Sequence, residues 1–389
     1  MYKFVTLILF IISFNGFSQD TDGDGVNDDV DNCPTVANGT EITTLAGGNG
    51  SGSASNQLNR PKEIIIDANG NLYISDKDNH RIQKWASGAT SGTTVAGGNG
   101  QGSAANQLDR PKGIFLDTSG NLYISDSYNH RIQKWVPGAI SGTTVAGGNG
   151  SGSASNQLNK PSEVFLDSND NLYISDKDNH RIQKWASGAT SGTTVAGGNG
   201  SGSASNQLNK PSGILSDADG NFYIVDANNN RIQKWASGAS EGTTVAGGNG
   251  SGSTSNKLND PRGIALDASG NMYIADKGNH RIQKWAPGAT EGTTVAGENS
   301  SGSASNQLNK PWDITLDASG NLYIVDSYNH RIQKWVFGQL DTDGDGIGDA
   351  CDNCPQLANS SSFKTLITGD LSAHSVKVDS LGFIYVADR

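Results

Sequence analysis

Asn71-Leu72-Tyr73-Ile74-Ser75-Asp76 returns in near-identical form at Asn121, Asn171, Asn221, Asn271 and Asn321, every 50 residues and without a slip. Six near-copies mean that one small unit has been multiplied, so the fold can be read from the unit. In the second copy, four short runs set apart by turn residues have the length and composition of strands: Gly113 to Asp117, Asn121 to Asp126, Arg131 to Val136 and Thr143 to Gly147. They are termed a, b, c and d. Between a and b of the first unit, Asn69-Gly70 is a hairpin signal because both residues tolerate positive φ. Strand b puts Leu72 and Ile74 on one face and Tyr73 on the other, so both faces need cover, as in a sheet stacked between neighbouring blades. No stretch carries a helical period. The chain reads as all-β, with one propeller blade per unit.

Sorting the strands by type shows how the ring should close. Thr-Thr-Val-Ala-Gly follows a c strand at Thr93, Thr143, Thr193, Thr243 and Thr293, whereas the sixth such strand, Thr43-Thr44-Leu45-Ala46-Gly47, lies ahead of the first unit. Trp335 is soon followed by an acidic segment with no d strand. The expectation is a six-bladed β-propeller over residues 41–338, its last blade completed by the N-terminal strand. Such closure removes the exposed sheet edge that invites aggregation.

Asn79-His80-Arg81-Ile82, with Asn59-Arg60-Pro61 and Asp67-x-x-Gly70-Asn71-Leu72-Tyr73 upstream, resembles the NHL repeat, and the likeness covers all six units. It implies a six-bladed propeller of a kind found in binding domains, in sensor ectodomains and in an amidating lyase. Fold alone does not choose among them.

The segments flanking the propeller carry different signals. Lys3, the apolar run Phe4 to Ile12 and small residues at Gly16 and Ser18 have the pattern of a secretory signal peptide over residues 1–18. That run is too short to span a bilayer, which takes roughly 20 apolar residues. A secreted or cell-surface protein with no membrane span is expected. Over residues 19–40, Asp20, Asp22, Asp24, Asp28 and Asp31 occupy positions 1, 3, 5, 9 and 12 of a loop with Gly25 at position 6; Asp341, Asp343, Asp345, Asp349 and Asp352 repeat this with Gly346 within residues 341–360. That spacing folds hard carboxylate oxygens around one cation, with the Val26 and Ile347 carbonyls at position 7, and calcium is the expected ion.

These loops run on into Asp31-Asn32-Cys33-Pro34 and Gly348-Asp349-Ala350-Cys351-Asp352-Asn353-Cys354-Pro355, which resemble thrombospondin type 3 repeats. The resemblance implies a disulfide between Cys33 and Cys351, although a whole propeller lies between them where the family's spacing is tight. Propeller geometry would bring both acidic loops to one face, and secretion would supply the oxidising compartment. Cys354 is left without a partner. In residues 361–389, Phe363 to Gly369 reads as another closing d strand, Ser375 to Asp379 as strand a and Phe383 to Asp388 as strand b. This would be the truncated start of a second propeller, with further propeller or calcium-repeat domains beyond.

Residues 41–340 hold 24 basic and 25 acidic side chains, so nearly all of the formal charge of -11 sits in the flanks. A near-neutral propeller argues against nucleic acid as a partner. The copies differ mainly in two places expected to share one face: the pair after each proline, and the b to c turn. Glu63, Glu163, Asp313 and Trp312, at the start of innermost strands, should ring the mouth of the central channel, with Tyr128 and Tyr328 in the turns nearby. Carboxylates beside aromatic rings suit a sugar, by stacking and hydrogen bonding. His80, His130, His180, His280 and His330 share one equivalent position with Asn230, so they stand in separate blades and read as structural hydrogen-bonding groups. The tryptophans at Trp85 and its equivalents read as blade packing, and Asp76 with Arg81 as an ion pair within the blade. Two functional classes follow: a binding or adhesion module for an extracellular glycan or protein, or a lyase- or lactonase-type enzyme with its site in the channel.

Overall fold

The computed structural model describes residues 41–297 and 300–337, together with strands Ser375–Val378 and Ile384–Ala387. Thr40–Phe337 forms one compact unit. Six antiparallel four-stranded sheets build it, and between their strands the described chain holds only single turns of 3-10 helix. The first blade contains Ile64–Ile66, Leu72–Asp76, Arg81–Trp85 and Thr93–Gly97 as strands a to d. In the sixth blade Ile314–Leu316, Leu322–Asp326 and Arg331–Val336 are joined by Glu41–Gly47. Ile42 faces Trp335 and Gly47 faces Arg331 across this pair, with a bulge between Thr44 and Ala46. The other blades carry the same bulge within their own d strands. The N-terminal strand therefore closes the ring, as the offset in the repeat predicts.

Local chemistry explains why each unit folds alike. Asp67 Oδ1 accepts the backbone N–H groups of Asn69 and Asn71, both at 2.9 Å, which folds the a to b turn by side-chain capture of backbone donors. Gly70 takes φ +74° there, where a side chain would be strained. The b to c connection is a single 3-10 turn, Lys77–Asn79, ended by His80 in the left-handed region. The innermost a strands are short, three residues in every blade but the fourth, where Pro211–Ser216 is longer.

The core lies between blades rather than within them, because strand b presents apolar side chains on both faces. Ile82 and Ala96 of the first blade pack with Leu108, Ile114, Leu122, Ile124 and Trp135 of the second. The corresponding cluster between the last blade and the first joins Val325 and Ile332 to Leu58, Ile74 and Trp85, with Ala46 of the closing strand among them. Each tryptophan of this set is nearly sealed from solvent, so the packing role holds for all six. Gly92 allows it: a Cβ there would lie 2.3 Å from Trp85 Nε1.

In the other part of the chain, Ser375–Val378 pairs antiparallel with Ile384–Ala387, Val376 opposite Val386. The expected signal peptide, both acidic loops with their aspartates and Val26 and Ile347, the three cysteines, and the strand expected at Phe363 to Gly369 lie outside the described residues.

Candidate functional site

Each proline lies just ahead of a short a strand, or in the fourth blade at its start, and the d to a loop and the b to c turn meet on the same face, here termed the upper face. The Asp78 N–H donates to the Asn59 carbonyl at 3.1 Å, and the Tyr128 N–H to the Asp109 carbonyl at 3.2 Å. A buried triad in every blade holds this face together. In the third blade, Asp176 Oδ2 accepts from Arg181 Nε at 2.8 Å and from Asn179 Nδ2 at 2.7 Å, while Oδ1 accepts the Asn159 N–H at 2.6 Å. The remaining guanidinium nitrogens of Arg181 donate to the carbonyls of Ser153, Ala154 and Gln157. The expected ion pair is thus present in all six blades, and it also clamps the loop leading into the blade.

The histidines fasten one blade to the next. His130 Nδ1 accepts the Lys160 N–H at 3.2 Å, and His330 Nδ1 accepts the Arg60 N–H at 3.2 Å, completing the circle. In the fourth blade Asn230 Oδ1 accepts the Asp260 N–H at 2.9 Å, which shows why asparagine serves in place of histidine. The position needs an acceptor, and a neutral imidazole supplies one. Burial holds His130, His180, His280 and His330 below the ordinary imidazole value, favouring that neutral form.

Two layers of side chains fill the channel mouth. The lower comprises Glu63, Glu163 and Asp313, with Gly113, Gly213 and Gly263 in the other three blades. A Cβ at Gly113 would lie 2.9 Å from Glu163 Oε1, and one at Gly263 would fall directly on Asp313 Oδ1, so glycine makes room for the carboxyls. Glu63 and Glu163 hydrogen-bond to each other. Burial raises both well above the carboxylate range, and for Glu63 the Glu163 and Asp313 charges add to it. Burial pushes Asp313 up to about 7. The three carboxyls line a cavity of about 240 Å³ whose walls include Ile65, Phe115, Phe165 and Thr315. The structure therefore brings the three predicted carboxyls together in the channel.

The upper layer comprises Lys62, Lys112, Ser162, Ser212, Arg262 and Trp312, and between it and the lower lies a void of about 10 Å³, barely enough for one water. Lys62 and Lys112 are 4% and 7% exposed, and among the described residues neither reaches a carboxylate. Lys62 Nζ donates to Ser327 Oγ at 3.1 Å. Burial, and then the charges of Lys77, Lys277 and their neighbours, hold Lys62 well below the ordinary lysine value. Lys112 is lowered by burial and then by Lys177 and Arg262. Arg262 is buried at 8% exposure; Asp260 pairs with it and with Lys277, yet its Nε has no hydrogen-bond partner.

The aromatic rings stand differently from the expectation. Lys62 Nζ lies 3.3 Å from the Trp312 ring centre, with Arg262 at 4.9 Å and Lys277 at 5.2 Å. Tyr128 carries Arg110, Lys112 and Lys160 within 6.0 Å, and Tyr328 carries Arg60, Lys62 and Lys310. Each ring thus carries the protein's own cations, although Tyr128 remains 38% exposed.

The near-neutral total of the propeller conceals a segregation of charge. Arg60, Arg110, Lys160, Lys210 and Lys310 precede the prolines, Lys62, Lys112 and Arg262 follow them, and Lys77, Lys177 and Lys277 stand in the b to c turns. Against them stand Asp78, Asp109, Asp178 and Asp260 in the same loops and turns and the buried Glu63, Glu163 and Asp313 beneath, while Asp76 and its equivalents are committed to the arginines of their own blades. Aspartates such as Asp117, Asp167 and Asp267 sit in a to b turns, at the opposite end of the strands, and balance the count. The cations stood in the same variable pair as Glu63 and Trp312; averaging charge over the whole ring hid them.

Family models match the NHL repeat at residues 58–85, 108–135, 158–185, 208–235, 258–285 and 308–335, and the thrombospondin type 3 repeat at residues 18–41 and 339–362. No curated protein matches the chain. Solved structures share its fold at low identity. A Bacteroides thetaiotaomicron protein described as of unknown function is 18% identical with a TM-score of 0.60, covering 76% of each chain. A gluconolactonase from Xanthomonas campestris is 13% identical with a TM-score of 0.55, over 76% of this chain and 89% of its own. An auxiliary nutrient binding protein from B. thetaiotaomicron is 16% identical with a TM-score of 0.56, over 77% of each. The six matched repeats coincide with the six blades, and the chain is accordingly an NHL-repeat β-propeller flanked on both sides by thrombospondin type 3 repeats.

Proposed function

We propose that this is a secreted or cell-surface binding protein whose propeller takes its ligand on the upper face, over the channel mouth, between connectors that hold calcium. One observation carries the reading: on a scaffold repeated six times almost unchanged, the blades depart from symmetry at the channel mouth, where buried Lys62, Lys112 and Arg262 converge with the partly buried Trp312. Buried polar groups that differ from blade to blade are not needed for a ring that glycine and serine build equally well in the other blades. Thrombospondin type 3 repeats are a calcium-binding, extracellular kind, which supports both the ion and the location. The ligand would be an extracellular glycan or protein. The test is a screen of the calcium-loaded protein against immobilised glycans and matrix proteins. Binding abolished by Lys112→Ala with the fold intact supports the reading, and binding indifferent to every upper-face substitution refutes it.

A second reading, a lactonase- or lyase-type enzyme, is favoured by the three carboxyls with raised affinity for protons at the head of the 240 Å³ cavity. A general acid must still hold its proton near neutral pH, as these groups do. Turnover in a lactone and lyase panel that disappears with Glu163→Gln would establish it.

A further inference from the structure

We infer that the ligand of the upper face is an anionic polysaccharide, bearing carboxylate or sulfate groups, with one anionic group seated over Lys62, Lys112 and Arg262. The inference rests on the binding reading above and adds the chemical class of the ligand. It starts from an imbalance inside the protein. Lys62 and Lys112 are buried without a carboxylate partner among the described residues, and the Nε of buried Arg262 donates to nothing. Burying one unpaired cation is costly, and burying several side by side adds mutual repulsion; both weaken the hold of Lys62 and Lys112 on their protons, and a bound anion would restore it. An arriving anion removes both penalties, and its oxygens meet the free guanidinium donor and the ammonium groups.

The carboxyls beneath do not serve as the missing partners. Burial raises their affinity for protons, to about 7 for Asp313, and among the described residues no salt bridge joins them to the layer above. The void between the layers, about 10 Å³, leaves no space for a ligand to pass between them, so the anion is met from above. Farther out, Lys210 and Lys310, with Lys160 in its pair with Asp178, extend the positive face around the ring. They supply contacts for further anionic groups, which a polymer presents and a single small anion does not. Nucleic acid is the other polyanion, but single-stranded binding draws on free aromatic faces for its bases. Trp312, Tyr128 and Tyr328 already have cations stacked on them. An anionic sugar chain needs the charge and not the ring faces.

The experiment uses the full secreted chain, calcium-loaded, on matrices of polygalacturonate, dextran sulfate, neutral dextran and poly(U). Retention is expected on polygalacturonate or dextran sulfate, which separates carboxylate from sulfate, and none on neutral dextran. Affinity should fall steeply between about 50 and 200 mM salt, as it does when several cations neutralise a polyanion. Lys62→Gln with Lys112→Gln should weaken binding roughly tenfold or more, about 1.4 kcal/mol. These substitutions remove buried charges, so the thermal midpoint should hold or rise. Should that protein fail to fold, Lys160→Gln with Lys210→Gln, both at the outer rim, should reduce the salt slope. Failure to bind either polyanion, binding indifferent to salt or to both pairs of substitutions, or stronger retention on poly(U) overturns the inference. Salt-resistant capture by neutral dextran or by a matrix protein overturns it too, but leaves the binding reading standing.

Discussion

At the scale of single residues, the shared position of His80 and its equivalents shows how one hydrogen bond decides what a repeat tolerates. His130 Nδ1 accepts a backbone N–H from the next blade, as does Asn230 Oδ1 in its own. His130→Asn should therefore leave stability nearly unchanged, whereas His130→Ala, which strands a donor, should cost about 1 kcal/mol in denaturant unfolding. The same bond predicts a pH dependence. His130, His180, His280 and His330 have lowered pKa values, so the unfolded chain takes up protons before the folded one. Their contribution is whole above the unfolded value of about 6.5 and declines as pH falls through it toward the lower folded values. With all four changed to asparagine, the advantage of the variant over the native protein should widen from pH 7.5 to pH 5.5; a constant difference would refute the argument. The role of these residues was legible in the sequence, because a position that accepts His or Asn in separate blades cannot be a shared metal site. The donor they meet was not, since it belongs to the backbone of another repeat.

At the scale of elements, each blade depends on a clamp that grips the loop in front of it. Asp176 and Arg181 are buried and hold the carbonyls of Ser153, Ala154 and Gln157. Asp176→Asn leaves the guanidinium without its counter-ion and should cost about 3 kcal/mol. Hydrogen exchange should show faster opening over residues 147–160, with blades on the far side of the ring little affected. Uniform loss of protection would mean that the clamp is not local. Strand order and the closing strand were readable because strand types can be counted, and the a strands were read two residues too long because Gly113 and Asp117 bond to strand b and the turn outside the regular ladder. The upper-face site was half legible. Glu63, Glu163 and Asp313 were found from the variable pair after the proline, and Lys62, Lys112 and Arg262 stood beside them. Their significance depends on burial and on which neighbours lack a counter-ion, and no linear sequence displays that.

At the scale of the whole molecule, the ring stacks carboxyls of raised proton affinity beneath Lys62, Lys112 and Arg262, and the carboxyls respond to pH differently from the histidines. Glu63, Glu163 and Asp313 have raised pKa values, so the folded protein keeps protons that the unfolded chain releases. Stability from this source is full below about 4.5 and is lost as pH rises through the folded values, about 7 for Asp313. Glu63→Gln with Glu163→Gln should therefore gain on the native protein between pH 5 and pH 8 in chemical denaturation, and equal slopes would refute it. The strand that closes the ring has a consequence of its own. Thr43-Thr44-Leu45-Ala46-Gly47 differs from the five other d strands by one methylene, at Leu45. The sixth blade thus recognises a core sequence that every molecule offers six times over, and the proper strand is set apart by Leu45, by Glu41 and Ile42 ahead of it, and by its tether within one chain. Refolding at high concentration should therefore yield interlocked chains, in which one molecule's strand completes another's ring, and their fraction on gel filtration should rise with concentration and vanish on dilute refolding. A protein made of interchangeable parts depends on dilution to keep those parts at home.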